Sequence, residues 1–130
     1  MKKFILLTLL MISLFGCTSL STKNENILNG KEYVLINNQE DVKITIGFAE
    51  DNFFGFSGVN NYFGKYEVSG NNIKFLTVGS TLMAGPENLS KLERIYIKKL
   101  ENTKAYKIEK SNLILITSDN ESMKFKIQKN

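Results

Sequence analysis

The chain has 130 residues, 42% of them hydrophobic, with 17 lysines and arginines against 13 acids. That composition suits a single domain with a modest core. Histidine is absent and there is one cysteine, which excludes a structural zinc site, a Ser-His-Asp triad and an internal disulfide. The positive charge is scattered, without a basic stripe carrying interleaved aromatics, so nucleic acid is not an expected partner. Neither a metal nor any other cofactor is expected.

Met1-Lys2-Lys3 leads into the apolar run Phe4 to Ile12, a secretory signal too short for an ordinary membrane-spanning helix. The run stops at Leu14-Phe15-Gly16-Cys17. A small residue before cysteine resembles the bacterial lipobox, which is cut before the cysteine so that its thiol takes a diacylglycerol. The expected organisation is therefore a signal peptide over residues 1–16, a flexible tether from lipidated Cys17 over 17–26, and a folded domain over 27–130. Several acyl chains, palmitate among them, would hold the protein to a membrane where one chain holds only marginally. Thr18, rather than aspartate, follows the cysteine. By resemblance to enterobacterial lipoproteins this favours the outer membrane over the inner one.

Glu32 to Ile36 reads as a first strand, and residues 37–41 as a polar turn. Val42, Ile44, Ile46 and Phe48 alternate with Lys43, Thr45 and Gly47, the pattern of a half-buried strand. After a turn at Glu50-Asp51-Asn52, aromatics alternate with glycines from Phe53 to Val68, around a polar Asn60-Asn61 corner. Tyr62, Gly64, Tyr66 and Val68 fall on one face of a strand, and Phe63, Lys65 and Glu67 on the other. No helix pattern follows these glycines, so they do not form a phosphate loop. Ser69-Gly70-Asn71-Asn72 closes a hairpin into Ile73 to Val78. Pro86 opens a helix to about residue 101, with Leu89, Leu92, Tyr96 and Leu100 at helical spacing. The pattern Tyr66-x-Val68…Asn72-Ile73-x-Phe75 returns 40 residues later as Tyr106-x-Ile108…Asn112-Leu113-x-Leu115, which we read as two similar hairpins of one turn type. Leu113 to Ile116 is apolar on both faces, as in a central strand. In the last strand Met123, Phe125 and Ile127 alternate with Lys124, Lys126 and Gln128. The predicted class is α+β: a curved antiparallel sheet, closing in part into a barrel, with one main amphipathic helix at about 86–101.

At about 100° per residue from Leu89, Glu93 falls near 40°, inside the apolar stripe of that helix. A carboxylate there must be paired, hydrogen-bonded or protonated. No lysine or arginine shares the face, which points to backbone N–H groups of an adjacent loop. Asn60 and Asn61 read as structural, since asparagine tolerates tight backbone and bonds nearby main chain. Without histidine, a carboxylate pair drawn from Asp51, Glu67 and Glu93 is the conceivable acid–base constellation. Nothing in the sequence brings two of them together. No catalytic residue is assigned.

The stretch Ser57-Gly58-Val59-Asn60-Asn61-Tyr62-Phe63-Gly64-Lys65-Tyr66 resembles the signature S-G-C-N-x-Y-x-G-x-Y of the META domain, the family of HslJ-like envelope lipoproteins. Ser80-Thr81-Leu82-Met83-Ala84-Gly85 is similar to its second block, S-T-x-M-A-C, and an acidic helix follows with Glu93 in the family's place. Upstream, Leu28-Asn29-Gly30-Lys31-Glu32-Tyr33-Val34-Leu35 resembles the opening L-x-G-x-x-W-x-L, with Tyr33 in the tryptophan position. The family positions matched are Gly58, Asn60, Asn61, Tyr62, Gly64, Tyr66, Thr81, Met83 and Glu93. Val59 and Gly85 stand where many relatives have cysteine, so any disulfide of those relatives lacks both partners here. The resemblance implies a non-catalytic envelope lipoprotein, with an accessory or stress-related role through a protein partner in the envelope. The alternative is a carrier of small hydrophobic ligands, with a cavity inside the sheet lined by Phe54, Phe56, Tyr62 and Tyr66.

Overall fold

The computed structural model describes residues 25–36 and 42–129. The signal, Cys17, most of the tether and the turn at 37–41 lie outside the described residues. Among the described residues, eight antiparallel strands close on themselves in sequence order: β1 (Glu32–Leu35), β2 (Thr45–Ala49), β3 (Asn52–Phe56), β4 (Asn61–Ser69), β5 (Asn72–Ser80), β6 (Thr103–Glu109), β7 (Asn112–Thr117) and β8 (Ser122–Ile127). Helix α1 (Glu87–Glu101) lies between β5 and β6 in the chain. The expected curved sheet thus closes completely, through Tyr33↔Ile127, Val34↔Lys126 and Leu35↔Phe125.

Closure removes the distinction between central and edge strands. The apolar β7 is flanked on both sides, by β6 and β8, as its two-faced pattern requires. Leu113 and Leu115 point into the core, and Ile114 is buried on the other face between Lys107 and Lys124 in register, where aliphatic lysine stems give cover. The seam between β5 and β6 is the thinnest, with the single pair Asn72↔Ala105, and α1 packs against β5. Helix α1 starts one residue later than expected. Pro86 is the residue before it, with ψ 143°, and not its first residue.

Inward positions are filled by rings: Tyr33, Phe48, Phe53, Tyr62, Tyr66, Phe75 and Phe125 are all buried, and Tyr96 of α1 joins them. Several meet edge to face, Phe53 on Phe75 at 5.0 Å and 89°, Phe48 on Tyr66 at 4.9 Å and 67°. Each such side chain contributes about 1.5–3 kcal/mol by leaving water. Phe54 and Phe56 do not join them, contrary to the expected cavity lining. In β3 it is Phe53 that points inward; Phe54 lies outside across from Gly47 and is 40% exposed, and Phe56 falls on its face. Tyr62 and Tyr66 are core, so the four residues line no common interior space.

Two close approaches exclude any side chain. A Cβ on Gly55 would stand 2.1 Å from the Thr45 carbonyl oxygen, and one on Gly64 2.5 Å from that of Thr77, opposite the irregularity between Phe63 and Lys65. The two repeated hairpins differ in their turns. Gly70 takes φ +59° in the first, whereas both Lys110 (φ 48°) and Ser111 (φ 69°) are positive in the second. A shared strand pattern does not carry a shared turn type.

Candidate functional site: the corner held by Glu93

Three segments converge at one end of the barrel. The β3–β4 corner holds Ser57 and Asn60, both buried. Gly58 turns it with φ +106°, a conformation side chains rarely adopt. The β5–α1 loop holds Thr81 and Met83, and α1 supplies Glu93 from a face shared with buried Tyr96 and Leu100 and part-buried Leu89 and Leu92.

The Glu93 carboxylate joins the corner to the helix. Its Oε2 accepts from the Ser57 hydroxyl at 2.6 Å and the Asn60 backbone N–H at 2.8 Å, and its Oε1 from Asn60 Nδ2 at 2.8 Å. The remaining amide hydrogen of Asn60 points to the Met83 carbonyl at 3.3 Å. Asn60 Oδ1 accepts from the Met83 N–H at 2.6 Å and the Thr81 hydroxyl at 2.9 Å. Both donors and both acceptor sites of the Asn60 amide are used. Glu93 thus bonds the corner directly and reaches the β5–α1 loop through Asn60, not by itself. Burial acts to raise the Glu93 carboxyl, but the bonds from Ser57, the Asn60 side chain and the Asn60 and Val59 backbone outweigh it and hold it below the ordinary glutamate value.

The matched family positions divide between two ends. Gly58, Asn60, Asn61, Thr81, Met83 and Glu93 meet here; Asn61 contributes its backbone, N–H to the Thr81 hydroxyl at 3.2 Å and carbonyl to the Thr81 N–H at 3.0 Å. Met83 also takes part through its backbone, while its side chain is 67% exposed. Tyr62 lies just beneath. Its hydroxyl donates to the Thr45 carbonyl at 2.6 Å, so the Tyr96 hydroxyl, 2.6 Å away, must be the donor between the two rings. Burial pushes both phenols up. Gly64 and Tyr66 sit further down β4, where Tyr66 donates to the Glu50 carbonyl and accepts from Asn26 Nδ2. Asp51 and Glu67 are exposed and stay apart from Glu93: Asp51 pairs with Lys65 at 3.1 Å. Ser57 and Tyr96 belong to the site without having been singled out. Ser57 opens the first motif, and Tyr96 is the polar-tipped ring in the apolar stripe of α1. Val59 and Gly85 touch, with a Cβ on Gly85 falling 3.4 Å from that of Val59.

A small antiparallel barrel, plugged by one helix whose carboxylate ties two motif-bearing loops together, defines the class of domain. The chain belongs to the META domain family, whose model matches residues 24–130. The fold is shared with a protein from Burkholderia xenovorans solved by NMR, with TM-score 0.66 and 20% identity over 79% of this chain and 85% of that one. A second NMR structure aligns with TM-score 0.58 and 18% identity, covering 76% of this chain and 90% of the other. No curated protein sequence matches the chain.

Proposed function

We propose that this protein is a non-catalytic accessory lipoprotein of the cell envelope, tethered through Cys17 to the outer membrane, that acts by binding an envelope protein, in a stress-related role. One observation carries the reading. The half-buried carboxylate at the family site is ionised and saturated by donors from its own chain, the reverse of a general acid with a raised pKa waiting for substrate. The network holds in place the backbone of a loop whose side chains face solvent, Leu82 at 96% and Met83 at 67% exposure. An apolar tip on a fixed backbone binds with a smaller ordering penalty, that of its side chains alone. The tether enters at Asn26, beside Tyr66, about 16 Å down β4 from Asn61 at some 3.3 Å per residue.

Fractionation tests the anchor: Cys17→Ser should remain uncleaved or be released, and lose detergent partitioning. A variant that partitions like the parent removes the anchor from the reading. A photo-crosslinker at position 82 should capture a discrete envelope protein that one at Asn71 does not. Equal capture at both positions argues against the tip as the docking point.

A further inference from the structure

A groove of about 340 Å³ runs between α1 and the barrel wall and shares Tyr96 with the Glu93 site. Ile44, Tyr96 and Met123, all buried, form its floor, and Ile36 and Ile95, 49% and 46% exposed, stand on its walls. The Tyr96 hydroxyl is already bonded to Tyr62, so it has no proton left to donate to a guest. The charged residues lining the groove, Lys99 and Lys124, are both cationic. Lys99 shares its charge with Glu121 at 2.6 Å, and Lys124 is exposed. At about 30 Å³ for a water-sized unit, the space holds roughly ten heavy atoms, and its size falls in the range of small-ligand sites.

We infer that this groove binds a single-chain amphiphile, an apolar tail of about ten heavy atoms with an anionic head at the Lys99–Lys124 rim. The tail replaces water on Ile36 and Ile95, and the head takes the charge of exposed Lys124, since no acid is among the described residues of the lining and Lys99 is already paired with Glu121. The site is independent of the proposed docking tip and differs from a cavity inside the barrel, which is filled by rings.

Decanoate titrated by calorimetry into the full chain carrying Cys17→Ser, purified without detergent, should show one saturable site. Ile95→Glu, at a half-exposed position, should weaken it by about tenfold or more through a charge set against the tail, with an unchanged far-UV spectrum. Lys124→Glu should weaken decanoate about twofold to fivefold while leaving decan-1-ol unchanged. Leu82→Glu, an apolar-to-acid change at the opposite loop, should alter neither. No saturable binding, or Ile95→Glu binding like the parent, overturns the groove. Equal effects of Lys124→Glu on decanoate and decan-1-ol overturn the anionic head.

Discussion

Replacing Glu93 by leucine removes a carboxylate and leaves its donors facing a methyl group. The Ser57 hydroxyl has a second acceptor, the Asn60 carbonyl at 2.9 Å, and can turn to it. The Asn60 backbone N–H and one Asn60 amide hydrogen have no such recourse, because Asn60 is 5% exposed and its Oδ1 is held by Thr81 and Met83. Two stranded buried donors at about 1–3 kcal/mol each predict a loss of about 2–6 kcal/mol. Glu93→Gln keeps one acceptor oxygen but sets an NH2 against a donor, since the Asn60 amide cannot flip. Its loss should be smaller, about 1.5–3 kcal/mol for one charge-assisted bond. The folded carboxyl lies below the ordinary 4.5. A lowered folded pKa contributes stability that is full above the ordinary value and is lost as pH falls through the folded one. The gap between parent and leucine variant should therefore narrow in acid. Urea unfolding followed by far-UV circular dichroism, at neutral pH and at about pH 3.5, reads both effects. A leucine variant within about 0.5 kcal/mol of the parent, or a gap unchanged in acid, would refute the reasoning.

Asn60→Ala deletes all four amide bonds and should cost about 2–4 kcal/mol, a fall of about 10 °C or more in Tm for a domain of this size; an unchanged Tm contradicts the structural role. The contact between Val59 and Gly85 predicts that Val59→Cys with Gly85→Cys, in a Cys17→Ser background, oxidises to a disulfide, since their Cβ separation of 3.4 Å is at the short edge of disulfide geometry. The cross-link should stabilise by about 3 kcal/mol, and two free thiols after mild oxidation would show that the loops do not meet. Gly55→Ala should destabilise by more than the ~1 kcal/mol typical of point changes, because its Cβ would collide with the Thr45 backbone. A variant that melts with the parent would mean that β2 and β3 lie further apart.

Much of this domain is visible in one dimension. Alternation of two places Tyr62 and Tyr66 inside and Phe63, Lys65 and Glu67 outside, because a pleated strand offers no other choice. Helical spacing sets Glu93 within an apolar stripe, and the cost of burying a bare carboxylate demands donors; three of its bonds go to the corner beside it. Local pattern is enough here because the forces concerned act within a turn or a strand.

The rest needed the third dimension. Phe54 carries the same composition signal as Phe53, and only strand register sends one outward over Gly47 and the other into the core. Closure of the barrel depends on β1 meeting β8, strands from opposite ends of the domain, so no short window contains it. The reach of Asn60 to Thr81 and Met83 likewise spans some twenty residues and exists only because β4 and β5 pair through the Tyr62↔Ser80 register. Outside β3, the sequence by itself determined which residues must be inside and which polar groups must find partners. Tertiary structure decided who those partners are, because hydrogen-bond satisfaction is a local demand met by whatever long-range packing brings within about 3 Å.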